Sequence, residues 1–188
     1  MSKVYAFLAP GLEEVECLGV VDILRRAGID TQLVSITDDP VIVGSHGIKI
    51  VADSTFANTS FSDYDVLFLP GGMPGTANLA GHSPLAALLK DARAKGKRLA
   101  AICAAPSVLG DLGLLEGHKA TCYPGWESHL KGATHVSLSV VTDGQITTAK
   151  GLGCAIDLGI ELVSLLVSPE KALEIKKSIQ HPAEENLA

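Results

Sequence analysis

Two residues in this chain combine a reactive side chain with an unusual setting, Cys103 and Glu16. Cys103 lies in "AAICAAPSVLG", residues 100–110, between an apolar run that reads as a strand and a segment from Pro106 that reads as a helix. Ala100, Ala101, Ala104 and Ala105 leave room for a tight strand-to-helix turn, the kind that lifts a nucleophile into a crevice. Unpaired N–H groups at the start of the following helix are expected to lower the thiol pKa and to hold a negative oxygen. The competing reading is plain packing, because free cysteine is among the most often buried side chains.

Glu16 stands out by its place on a helix. Residues 13–27 have helical period and Gly28 follows as a cap. On a wheel of about 100° per residue, Ile23, Ala27, Val20, Leu24, Cys17 and Val21 form one apolar arc. Glu14, Arg25, Asp22, Gly19 and Arg26 form most of the opposite arc, with Val15 and Leu18 as exceptions there. Glu16 falls between Ile23 and Ala27, about 20° from each. Glu13 also points into the apolar arc, but in the first turn, where the helix dipole favours a carboxylate. Burying an ionised carboxylate is costly, so the Glu16 pKa is expected to rise. Such a group gives and takes protons near neutral pH. The alternative is a slightly rotated helix with Glu16 at the edge of the core.

The elements that must position these groups alternate. Strands are expected at 3–8, 31–36, 65–69 and 98–102, helices at 13–27, 83–95, from 106, at 155–167 and from 169 to about 180. Ser83 reads as the N-cap of the second helix. Hairpins are expected within 41–51, around Gly44-Ser45-His46-Gly47, and around Asp143-Gly144. A strand at 119–122 and a helical turn at 126–130 complete the pattern. Apolar strands alternating with helices imply one α/β domain over residues 1–188, a mostly parallel sheet covered on both faces, with 181–188 fraying. Ligands bind such sheets at the carboxyl ends of the strands. Three small-residue corners fall there, at 9–11, 70–72 and 103–105, and are expected to converge. Gly71 and Gly72 can then add N–H groups with no side chain in the way.

Composition narrows the function classes. The chain has 188 residues, 47% hydrophobic and 19% charged, with a net charge of −6, and a pI near 5.4. That excludes a general nucleic-acid binder, which needs a basic face. No apolar run approaches ~20 residues, so no membrane span is expected. The first residues lack the pattern of a signal peptide, so a cytoplasmic location is expected, with Cys17, Cys103, Cys122 and Cys154 reduced. Cys17 and Cys154 read as core; Cys122 is open between core and pocket. The six histidines show no metal spacing, and no metal site is expected. Gly151-x-Gly153 lacks the full dinucleotide fingerprint and reads as a packing turn.

Four stretches together, "LAPGLEEVE" (8–16), "LRRAGI" (24–29), "DVLFLPGG" (65–72) and "AAICAAP" (100–106), resemble the ThiJ/PfpI superfamily, closest to its Parkinson-disease protein deglycase (DJ-one) branch. The resemblance implies a flavodoxin-like (class I glutamine amidotransferase-like) sandwich, usually homodimeric. It implies a nucleophilic Cys103, a Glu16 hydrogen-bonded to it, and backbone donors at Gly72 and Ala104. It implies a cofactor-independent glyoxalase or deglycase acting on methylglyoxal-type 2-oxoaldehydes or their adducts, or alternatively an oxidative-stress sensor or redox-regulated chaperone. Substrate contacts are expected at Gly71, Gly72, Ala104 and Tyr123. Ala104 stands where the protease-like branch has histidine, which counts against a Cys-His peptidase. Tyr123 stands where many relatives have histidine, His46 where many have arginine, and Lys150-Gly151-Leu152-Gly153 where relatives tend to show Arg-Gly-Pro-Gly.

Overall fold

The strands at the centre of the sheet, Lys3–Leu8, Val66–Leu69 and Arg98–Ile102, are buried on both faces, as covering from two sides requires. A computed structural model describes residues 2–182. The strands are β1 (Lys3–Leu8), β2 (Asp30–Ser35), β3 (Val41–Val43), β4 (Lys49–Val51), β5 (Ser54–Thr55), β6 (Val66–Leu69), β7 (Arg98–Ile102), β8 (Lys119–Ala120), β9 (Thr134–His135), β10 (Val140–Asp143) and β11 (Ile146–Ala149). The helices are α1 (Glu14–Arg26), α2 (Gly75–Gly81), α3 (Ser83–Ala94), α4 (Pro106–Asp111), α5 (Ala155–Leu166) and α6 (Pro169–Ser178). Seven strands form one sheet in the order β10-β11-β7-β6-β1-β2-β5, parallel except for β10. Helices lie on both sides, the α/β flavodoxin-like arrangement.

Strand alternation divides the interior into two cores. Val4, Ala6, Leu8, Val66, Phe68, Ala100 and Ile102 face α1, α5 and α6. Tyr5, Phe7, Leu67, Leu69, Leu99 and Ala101 face α2, α3 and α4. The two hairpins form as the turn residues dictate: β3 pairs with β4, and β10 with β11 around Gly144 at φ 58°.

Several expectations need correction. Helix α2, with glycine at both ends and no apolar period, was not foreseen. The N-cap of α3 is His82, whose ring accepts from the Leu85 N–H at 3.1 Å, and Ser83 is already helical. The strand at 119–122 shrinks to β8, which pairs with β9 outside the main sheet. Of the segment expected to fray, only His181 and Pro182 are described, and 183–188 lie outside the described residues. Among the described residues, no helix is long and apolar enough to cross a membrane.

Candidate active site

The chain leaves β7 and turns into α4 through Cys103, whose φ of 65° makes it one of two non-glycine residues in the left-handed region among those described. L-residues rarely adopt this conformation. Hydrogen bonds hold it from both sides: the Cys103 N–H donates to the Ala149 carbonyl at 2.9 Å, and the Tyr123 N–H to the Cys103 carbonyl at 2.8 Å. The thiol is thereby turned toward α1 and is partly buried against the residues of that core.

Glu16 meets it from α1. Its side chain is 1% exposed, as its place on the wheel requires. A ring of three hydrogen bonds fixes it. The Glu13 N–H donates to the Gly71 carbonyl at 2.9 Å. The Gly71 N–H donates to Glu16 Oε2 at 3.1 Å. The Glu16 N–H donates to Glu13 Oε2 at 2.6 Å. Glu13 is therefore the N-cap of α1 rather than part of it, and its carboxylate closes the ring. Glycine is required at 71: a Cβ there would lie 2.5 Å from Glu16 Oε2 and 2.6 Å from Cys103 Cβ. Gly72 sits at φ 89°, with no room for a side chain against the Leu12–Glu13 backbone.

The electrostatics follow from this geometry. Burial pushes the Glu16 carboxyl up to about 7; the neighbouring Glu13 charge adds to the rise, while Cys103 and the N–H groups of Gly71 and Leu152 oppose it. The expectation of a low thiol pKa is not met. Burial and the Glu16 charge beside it push Cys103 up to about 12, against the weaker pull of the Gly72 and Ala104 N–H groups. The thiol therefore ionises most readily when Glu16 takes the proton. With the carboxyl near 7 and the thiol far above it, the pair releases its first proton near neutral pH, from Glu16.

Of the residues expected at the site, the structure brings Cys103, Glu16, Gly71, Gly72 and Ala104 together. The Gly71 N–H is committed to the Glu16 carboxylate, which leaves Gly72 and Ala104 as the donors beside the sulfur. Tyr123 adjoins Cys103 through its backbone, and its ring is half exposed. The corner at residues 9–11 lies one step outward: Gly11 bonds to Val43 and Gly75, not to the thiol. Cys17 and Cys122 are buried, whereas Cys154, expected in the core, is only half-buried. Leu152, whose backbone N–H opposes the rise of the Glu16 pKa, lies in the Lys150–Gly153 stretch that departs from the family pattern, but no role at Glu16 was expected of it. No signal in the sequence marks that role, because the contact is made by the backbone.

Glu14 departs most from expectation. Placed on the solvent side by the wheel, it is 2% exposed. The β3–β4 loop folds over it. Glu14 Oε1 accepts from the His46 N–H at 2.8 Å and the Ile48 N–H at 3.3 Å, and Oε2 lies 3.0 Å from His46 Nδ1. These bonds hold its carboxyl down at about 2, against the cost of burial. Potential metal-ligand atoms of Glu13, Glu14 and His46 come within 4.8 Å of one another. Their carboxylates are already engaged with N–H groups, so the group is read as a clasp between helix and hairpin.

Residues 2–165 match the DJ-1/PfpI family. The chain is 34% identical over 182 residues to protein dj-1beta of Drosophila melanogaster, covering 95% of this chain and 97% of that one. It is 39% identical over 175 residues to protein DJ-1 homolog B of Arabidopsis thaliana, covering 92% of this chain and 40% of that one. The chain thus spans less than half the length of the Arabidopsis relatives it matches. A glutathione-independent glyoxalase of Caenorhabditis elegans, DJR-1.2, is 29% identical over 169 residues, covering 89% of each chain. Among solved structures, oxidized Toxoplasma gondii DJ-1 superposes with a TM-score of 0.94 at 33% identity, covering 97% of this chain and 100% of that one. With sequence and fold agreeing along nearly its whole length, the chain belongs to the DJ-1/PfpI family.

Proposed function

We propose that this protein is a cofactor-independent glyoxalase that converts 2-oxoaldehydes to 2-hydroxy acids through a covalent adduct on Cys103. The observation that carries the reading is the buried Glu16 carboxyl, held against the strained Cys103 corner and raised to about 7. A base that also acts as an acid near neutrality is what an internal proton transfer needs.

Each step has a residue. Glu16 takes the thiol proton as the sulfur adds to the aldehyde carbon. The S–C bond forms, and the carbonyl electron pair moves to the oxygen, facing the Gly72 and Ala104 N–H groups. Glu16 returns the proton to that oxygen, giving a hemithioacetal. As carboxylate again, it removes the C1 hydrogen as a proton. The C1–H pair becomes a second C1–C2 bond and the C2 carbonyl pair moves onto its oxygen, giving an enediolate. Glu16 then delivers the proton to C2 while the C1 hydroxyl proton passes to the C2 oxygen and the C1 carbonyl forms. C1 is now oxidised to a thioester and C2 reduced to an alcohol, with no external oxidant. Water hydrolyses the thioester and frees the thiol. Deglycation of thiol or amine adducts would use the same intermediate.

The test is lactate formation from methylglyoxal without glutathione. Wild type is expected to turn over and Cys103→Ala to lose it. Absence of Cys103-dependent turnover would sink the reading for that substrate.

A second reading, a redox sensor or regulated chaperone, is favoured by the same corner. A hydroperoxide can oxidise the thiolate to sulfenate and a second one to sulfinate, each releasing water or alcohol, with protonated Glu16 donating to the product. A second copy of the chain is the partner expected. Exposed Val15 and Leu18 of α1 and Val41, Val43 and Val51 of the hairpin offer it an apolar face, and sedimentation equilibrium would measure the pairing.

A further inference from the structure

A groove of about 300 Å³ is lined by Tyr123, Pro124, Lys150, Leu152 and Cys154 with the Gly151 and Gly153 backbone between them; neither Cys103 nor Glu16 is part of its lining, and both lie behind its walls. Both its walls are tied to the reacting pair. On one side, the Tyr123 N–H bonds the Cys103 carbonyl at 2.8 Å. On the other, the Leu152 backbone N–H faces Glu16 and opposes the rise of its pKa. The groove therefore adjoins the backbone that carries Cys103 and the segment that faces Glu16.

The lining is almost wholly apolar. Tyr123 and Leu152 are 50% and 48% exposed, so the apolar surface of both is open to a ligand in the groove. Gly151 lets the tyrosine ring lie close to the backbone: a Cβ there would sit 3.3 Å from Tyr123 Cδ2. The Lys150 ammonium donates to Ser137 Oγ at 3.3 Å, and the rest of the lining is apolar.

We infer that this groove is a side-chain subsite, and that the protein prefers 2-oxoaldehydes carrying an aromatic or branched apolar substituent over the methyl compound. The inference rests on the proposed Cys103 adduct, and it assigns Tyr123 and Leu152 as the residues that set specificity. Burying a larger apolar group between them adds binding that a methyl group cannot reach.

Two measurements test it, one independent of turnover. The first is the ratio of kcat/KM for phenylglyoxal to that for methylglyoxal in wild type, Tyr123→Ala and Leu152→Ala. Both side chains are half exposed, so both variants are expected to fold. The ratio is expected to fall about tenfold in each variant. The second is the alkylation rate of Cys103 by phenacyl bromide relative to bromoacetone, each normalised to a free thiol in solution. Wild type is expected to favour the aryl reagent and the variants to lose the preference. Turnover of both aldehydes with ratios unmoved by either substitution would overturn the subsite and leave the glyoxalase reading intact. An aryl preference in alkylation that both substitutions abolish, in a protein that turns over neither aldehyde, would support the subsite and overturn the glyoxalase reading. No aryl preference in either measurement overturns the subsite.

Discussion

Glu14 and Glu16 are the same residue type, two positions apart on one helix, and both are almost completely buried. Their carboxyls nevertheless move in opposite directions, one down to about 2 and the other up to about 7. Glu14 meets the hairpin loop, which supplies two backbone N–H groups and an imidazole. Glu16 meets the Gly71 and Leu152 N–H groups, but also a thiol and the Glu13 carboxylate. Burial disfavours charge at both; the number of donors and the sign of the neighbours decide the outcome. One carboxylate therefore stabilises the fold, while the other is held in a state that burial penalises and chemistry can use.

The largest effect expected from breaking this contrast is catalytic. Glu16→Gln removes the base, and glutathione-independent lactate formation should fall by roughly 10²–10⁴-fold. The amide still donates a hydrogen bond, so peroxide oxidation of Cys103 to sulfinate, followed by mass spectrometry, should largely survive. Loss of oxidation with retained turnover would reverse the assigned roles.

The next effect concerns stability. Glu14→Ala leaves the His46 and Ile48 N–H groups without their acceptor, and urea unfolding at pH 7 should show a loss of about 3 kcal/mol. Because the folded pKa is below the ordinary 4.5, this stabilisation is present above pH 4.5 and lost as pH falls toward 2. The gap between wild type and variant should therefore close in acid.

Glu16 should show the opposite sign. Its folded pKa exceeds the ordinary 4.5, so wild type loses stability as pH rises from about 4.5 to 7, while the unfolded chain releases the proton first. Glu16→Gln has no such loss and should be the more stable protein above pH 7, by on the order of 2 kcal/mol. Equal stability of the two proteins at pH 5 and pH 8 would remove the buried, raised carboxyl from the site.

The smallest effect is at His46. Its contact with Glu14 raises the imidazole pKa above 6.5, so its contribution is complete below pH 6.5 and lost as pH rises through the folded value. His46→Asn should lower the melting temperature slightly at pH 6, and the difference should vanish in alkaline buffer.

What the sequence by itself determined was local. Apolar runs and small corners located β1, β6 and β7, and the 3.6-residue period turned Glu16 inward, because these features depend on neighbours along the chain. The alanines around Cys103 announced a sharp turn for the same reason. The wheel misplaced Glu14 because it describes one helix, and the surface that buries Glu14 comes from a hairpin some 30 residues away. It foresaw the raised Glu16 but not the raised thiol, since the dominant charge beside Cys103 belongs to a residue 87 positions earlier. The stretch around Leu152 was marked only as a departure from the family pattern; its N–H beside Glu16 and the groove it lines were not, because a backbone N–H carries no residue signature and a cavity exists only between elements. Tertiary structure alone decided which carboxyl is held ionised and which is pushed up toward neutrality, because ionisation depends on the solvent and charges around a group, and folding sets both.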